Sequence, residues 1–140
     1  MITFEDIKNN ADIRTYIQCA DESLAALGFT EHSFAHVGRC ADVAARILNE
    51  LGYPAREVEL ARIAAFMHDI GNVVNRHDHA ISGATMAFRI LDKMGMEPAE
   101  VATVIPAIGH RFSRKRGGCR PDPGGQDRCA PQPGAQQRCH

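Results

Sequence analysis

The sequence predicts an all-α fold over residues 1–110, and three observations carry that expectation. Apolar residues recur at helical spacing in each segment, glycine and proline punctuate the segments at helix-length intervals, and no stretch alternates apolar with polar residues as a half-buried strand would. With 140 residues, 44% of them hydrophobic, the chain suits one domain with a real core.

The elements follow in order. Ile2 to Lys8 is a short amphipathic piece. Ala11 to Leu27 places Ile13, Ile17, Ala20 and Leu24 on one face and stops at Gly28. Thr30 suits the N-cap of the next helix, which runs to Leu51 with an apolar stripe of His36, Cys40, Val43, Ile47 and Leu51. That stripe puts His36 on the face expected to be buried, and Gly52 ends the helix. Pro54 fits the first turn of a third helix through Val58, Ala61 and Ala65 to His68–Asp69. A polar link leads to Asp78 as an N-cap, and the fourth helix shows Ile81, Ala84, Phe88 and Leu91 before Gly95. Glu97, Pro98 and Glu100 open a fifth helix carrying Val101, Val104, Ile105 and Ile108, with a kink expected at Pro106. It reaches His110.

Charge divides the chain at the same place. Residues 1–110 hold nine Lys/Arg against fifteen Asp/Glu, whereas residues 111–140 hold seven against two. The net charge of −1 favours neither a nucleic acid nor a membrane surface, and no nucleic-acid-binding motif is present. The start of the chain lacks a basic and apolar export signal, which points to the cytoplasm. Cys19 and Cys40, inside helical patterns, read as small buried residues of a reducing compartment.

The segment that carries chemistry is A-F-M-H-D-I-G-N, residues 65–72. Neighbours on an ideal helix project about 100° apart, so His68 and Asp69 converge only near a helix end. Gly71, able to take a positive φ, supplies a reason for that end. An imidazole and a carboxylate at the rim of a core suit one hard or borderline cation. Taken alone, the pair reads better as a solvated Asp beside a His that favours the negative helix end, and only its company elsewhere in the chain favours a cation.

His36, the H-D-I-G-N stretch, H-A-I-S-G-A at His79 and A-I-G-H at His110 together resemble the HD-domain metal-dependent phosphohydrolase superfamily. The resemblance covers roughly residues 30–110. It implies a helical bundle of about five helices, one or two divalent cations, and hydrolysis of a small phosphate ester, a monoester or diester of nucleotide type. On this resemblance His36, His68 and Asp69 ligate a first cation, His79 and His110 a second, and His68 and Asp69 are the catalytic pair. Arg39, one turn after His36, is the candidate for binding a substrate phosphate. Mn, Mg, Fe, Zn and Ni are not distinguished, and a homo-oligomer stays open. His32 and His77 read as surface residues. Asn72 stands where the cyclic-dinucleotide branch of the family carries Lys. The alternative to an enzyme is a non-catalytic helical remnant or binding module.

After His110 the character changes. Residues 111–140 contain no Leu, Ile, Val or Met, but five Gly, four Pro and three Cys, a composition expected to stay irregular. Three explanations stand. C-x-P-x-P-G-x-Q-x-R occurs twice over residues 119–138, as in a low-complexity tail. Cys119, Cys129, Cys139 and His140 offer zinc donors, without the tight cysteine pairs of zinc modules. The third is a frameshift: codons for residues 119–128, read one base later, permit A-A-L-I-L-A-D-K-T-D. That string resembles the apolar helix on which the family carries the carboxylate closing its first metal site.

Overall fold

The apolar spacing of the first 110 residues translates into helices throughout the computed structural model, which describes residues 1–29 and 33–110. Six α-helices and one short 3-10 turn are described: α1 (Phe4–Asn9), α2 (Ala11–Ala26), α3 (Ser33–Glu50), α4 (Ala55–Met67), the turn Ile70–Val73, α5 (His79–Met94) and α6 (Pro98–Gly109). No strand occurs among the described residues. The expected Thr30 cap, His32 and everything expected of residues 111–140 lie outside them.

Local sequence explains most boundaries. Thr3 and Asp6 form a reciprocal capping box for α1, and Asn10 accepts from Ile13 N at 3.1 Å to start α2. Gly28, Gly52 and Gly95 lie just past helix ends with φ of 86°, 78° and 84°, a backbone that glycine adopts without strain. Pro98 occupies the first turn of α6 as expected, but neither Glu97 nor Asp78 caps with its side chain.

α4 is the centre of the bundle. Leu60, Ile63, Ala64, Phe66 and Met67 are buried around most of its circumference, with α3, α6 and α1 packed on it. Phe66 meets Phe4 of α1 edge to face, ring centres 5.6 Å apart. Ile13, Ile17 and Ala20 bury as the sequence predicts, and Leu24 is half-buried.

α3 is rotated from the expected face, and in α5 the expectation holds for Ala84 and Leu91 but not for Ile81 and Phe88. In α3 the inner stripe is Val37, Ala41 and half-buried Leu48, while Val43, Ile47 and Leu51 are 44%, 48% and 67% exposed. In α5 the buried set is Ala84, Ala87, Ile90 and Leu91, leaving Ile81 and Phe88 on the surface. Small residues thus hold the inner positions of α3 and share those of α5 with Ile90 and Leu91, while several bulkier side chains face outward. His36 consequently sits at the edge of the packed face rather than beneath it.

A polar clamp closes the opposite end. Arg56 Nε and Nη2 grip the two carboxylate oxygens of Glu100, the first at 2.7 Å, and Nη1 donates to Ile2 O and Glu59, each at 2.8 Å. Glu59 in turn accepts from Phe4 N at 2.9 Å. The hydrogen bonds from Arg56 hold the Glu100 carboxyl below the usual 4.5, against a smaller opposing effect of burial. A carboxyl lowered by folding stabilises the fold above its unfolded value and loses that contribution as pH falls through its folded value. Glu100→Gln should therefore cost about 1–2 kcal/mol at pH 7, since the pair is partly exposed. Urea denaturation should find that difference shrinking below pH 4.5.

Candidate metal centre

Met67 and Ile70, both 0% exposed, fix the chain on either side of His68–Asp69. α4 ends here: His68 is its C-cap residue, and Asp69 leaves the helix at φ −103°, ψ 2°. That change of backbone lets adjacent side chains converge, and His68 Nε2 lies 3.0 Å from Asp69 Oδ2.

The expected mechanism of this bend needs correcting. Gly71 is not among the positive-φ glycines; it lies in the 3-10 turn. Its missing side chain serves a close approach instead. A Cβ on Gly71 would fall 1.9 Å from His79 O and 2.5 Å from Gly83 N, and one on Gly83 would meet Gly71 N at 3.3 Å. The turn thus lies with its backbone directly on the first turns of α5. Asp78, at φ 60°, turns the polar link so that His79 begins that helix.

Three imidazoles surround the Asp69 carboxylate as a result. His36 from α3 and His68 from α4 approach Oδ2 at 3.3 and 3.0 Å, and His79 from α5 approaches Oδ1 at 3.4 Å. The His36 and His68 rings are tilted, their centres 5.4 Å apart. His68 Nδ1 donates to Ala65 O at 2.6 Å and His79 Nδ1 to Arg76 O at 2.8 Å, because a carbonyl oxygen only accepts. These bonds fix the tautomers and aim both Nε2 lone pairs at the carboxylate. Two acceptors at such distances need a positive centre between them, a proton or a metal cation. Imidazole nitrogens and carboxylate oxygens are donors for a divalent transition cation, so the residues present fit one.

His110 and Arg39 stand apart from these contacts. His110 is exposed at the end of α6 and lines a cavity with Ile81, Phe88, Ile105 and Pro106. Arg39 is exposed on α3 and makes no ion pair among the described residues. His77 is on the surface beside Asp78.

An HD domain family model matches residues 33–137. The chain belongs to the HD domain family. Membership suggests a metal-dependent phosphohydrolase, and the match spans His36, the HD pair, His79 and His110. No curated protein and no solved structure matches the chain. No described helix is long and apolar enough to cross a membrane.

Two contributors to the HD site escaped the sequence. Asn72, 4% exposed, donates to Asp69 O at 3.0 Å and accepts from Arg76 at 3.3 Å, bracing the turn from inside. Cys40, expected as a buried filler, is half-buried with Sγ 3.7 Å from His36 Nε2. The spacing H-x-x-x-C was the available signal, since residues four apart share a helix face.

Gly71→Ala should destabilise the protein by at least about 3 kcal/mol, because the new methyl meets backbone that cannot rotate away. Gly38→Ala, whose Cβ meets nothing within 4 Å inside α3, should stabilise it by about 0.5–1 kcal/mol. Urea midpoints of the two variants check the pair.

Proposed function

We propose that this HD domain hydrolyses a small phosphate ester, monoester or diester of nucleotide type, with one or two divalent cations. The observation that carries the proposal is the set of three imidazole nitrogens within 3.4 Å of the Asp69 carboxylate. His36, His68 and Asp69 Oδ2 would hold the first cation. His79, on the Oδ1 side, would hold a second together with His110. A bound cation supplies a water of lowered pKa and withdraws charge from the phosphoryl oxygens. The chain's own residues supply position: the Nδ1 bonds to Ala65 O and Arg76 O keep the rings oriented as ligands come and go. Arg39, exposed one turn beyond His36, offers a guanidinium to a phosphate oxygen.

A second reading is favoured by one observation. Val43, Ile47 and Leu51 form an exposed apolar stripe on α3, and a mostly apolar groove lined by Leu48, Tyr53, Glu57, Leu60, Ala61, Thr103 and Ala107 lies between α3, α4 and α6. Such surfaces suit a bundle that lacks one covering helix. On this reading the chain is a helical remnant of an enzyme, impaired by a frame change in the segment after His110. The coding DNA tests the frame directly: a sequence that does not permit A-A-L-I-L-A-D-K-T-D one base on removes that explanation.

The activity test compares this chain with a frame-restored version on phosphomonoester and phosphodiester substrates, with Mn²⁺, Mg²⁺ or Fe²⁺. Weak or absent hydrolysis is expected from this chain and clear metal-dependent hydrolysis from the restored one, abolished by His68→Ala or Asp69→Ala. A restored protein that binds cation yet hydrolyses no phosphate ester would defeat the enzyme reading.

A further inference from the structure

His36 has a second neighbour besides the carboxylate. Cys40 Sγ lies 3.7 Å from His36 Nε2, and one donor atom each of His36, Cys40 and His68 lie within 4.8 Å of one another. We propose that Cys40 is a thiolate ligand of the first cation, which completes a four-donor centre of His36, Cys40, His68 and Asp69. It deepens the metal reading above and rests on it.

The distances carry the proposal. A tetrahedral cation with nitrogen or oxygen donors at about 2.0–2.1 Å and sulfur at about 2.3 Å has donor-to-donor edges of about 3.3–3.6 Å. The edges here are 3.3 Å from His36 Nε2 to Asp69 Oδ2, 3.0 Å from His68 Nε2 to the same oxygen, and 3.7 Å from His36 Nε2 to Cys40 Sγ. His36 Nε2 thus stands at coordination spacing from both Cys40 and Asp69, His68 from Asp69, and the His36, Cys40 and His68 donors lie within 4.8 Å of one another.

The surroundings leave the sulfur accessible. Cys40 and His68 line one groove together with Ala61, Ala64, Ala65, Ala107 and Ile108, and Cys40 is half-buried there. On binding, the Cys40 S–H bond breaks, its proton leaves to solvent and a sulfur–metal bond forms, with no change of oxidation state. A thiolate beside two imidazoles selects a borderline cation such as Zn²⁺ or Co²⁺ over Mg²⁺, which demands oxygen donors. The bland alternative, a half-buried cysteine merely packed beside a histidine, makes no such selection.

Co²⁺ separates the two. Metal-free full-length protein is titrated with Co²⁺ under anaerobic conditions, and its visible ligand-field bands and near-ultraviolet thiolate-to-cobalt band are followed. Both should appear at one equivalent. In Cys40→Ser, and in Cys40→Ala should the serine variant lose its helical circular dichroism, the near-ultraviolet band should vanish. Co²⁺ affinity should fall at least about tenfold while the ligand-field bands persist. Ligand-field bands without the thiolate band in the unaltered protein would overturn the role of Cys40 and leave the cation centre standing. A thiolate band that survives in both variants assigns the sulfur to another cysteine and overturns it equally. Failure to bind Co²⁺ at all would remove the centre itself.

Discussion

Everything at the centre depends on one contact between backbones. The turn after Asp69 lies against the start of α5 so closely that Gly71 has no room for a β-carbon beside His79 O and Gly83 N. That approach brings His79 to the face of Asp69 opposite His36 and His68, and it joins an element read as a helix end to one read as a helix start. Met67 and Ile70, wholly buried, make the arrangement rigid by anchoring both flanks of the HD pair. A metal site built this way is part of the core rather than a decoration on it, so its geometry and the fold's stability are coupled.

The helices were legible because their signals are local. Glycine at Gly28, Gly52 and Gly95, proline at Pro98 and the apolar spacing of α2 act within a turn or two, and each does what its chemistry dictates. The exposed sides of α3 and α5 were not legible, because periodicity identifies a face and not the size of what packs there. Ala41, Ala84 and Ala87 are weak hydrophobic signals, yet they are buried while Val43, Ile47, Ile81 and Phe88 are exposed. Gly71 misled for a related reason: a glycine after a histidine–aspartate pair suggests a left-handed cap, and only the partner helix reveals that space is the constraint.

The nearness of His36 and His68 to Asp69 was expected from a resemblance, whereas the approach of His79 to the same carboxylate and its detail rest on contacts that no spacing displays. The Nδ1 bonds to Ala65 O and Arg76 O depend on where two helices begin and end, and they decide which nitrogen each ring offers. Asn72 contributes from inside the same turn. By contrast, the H-x-x-x-C spacing of His36 and Cys40 was visible in the sequence, and burial was the wrong inference to draw from it. The family match, which reaches residue 137, and the composition change after His110 meet in the segment outside the described residues. A separate groove bordered by α3, α4 and α6 exposes His68 and Cys40.

The central claim is that Nε2 of His36 and His68 face one cation on the Oδ2 side of Asp69, with Nε2 of His79 facing a second on the Oδ1 side. Nitrogen-15 NMR of the imidazole rings during titration with Zn²⁺ tests it most directly. The account predicts large shifts at Nε2 of His36, His68 and His79 with Nδ1 of His68 and His79 still protonated, and no comparable change at His77, which is 95% exposed. Equal small shifts across all histidines, or none at His36 and His68, would contradict it.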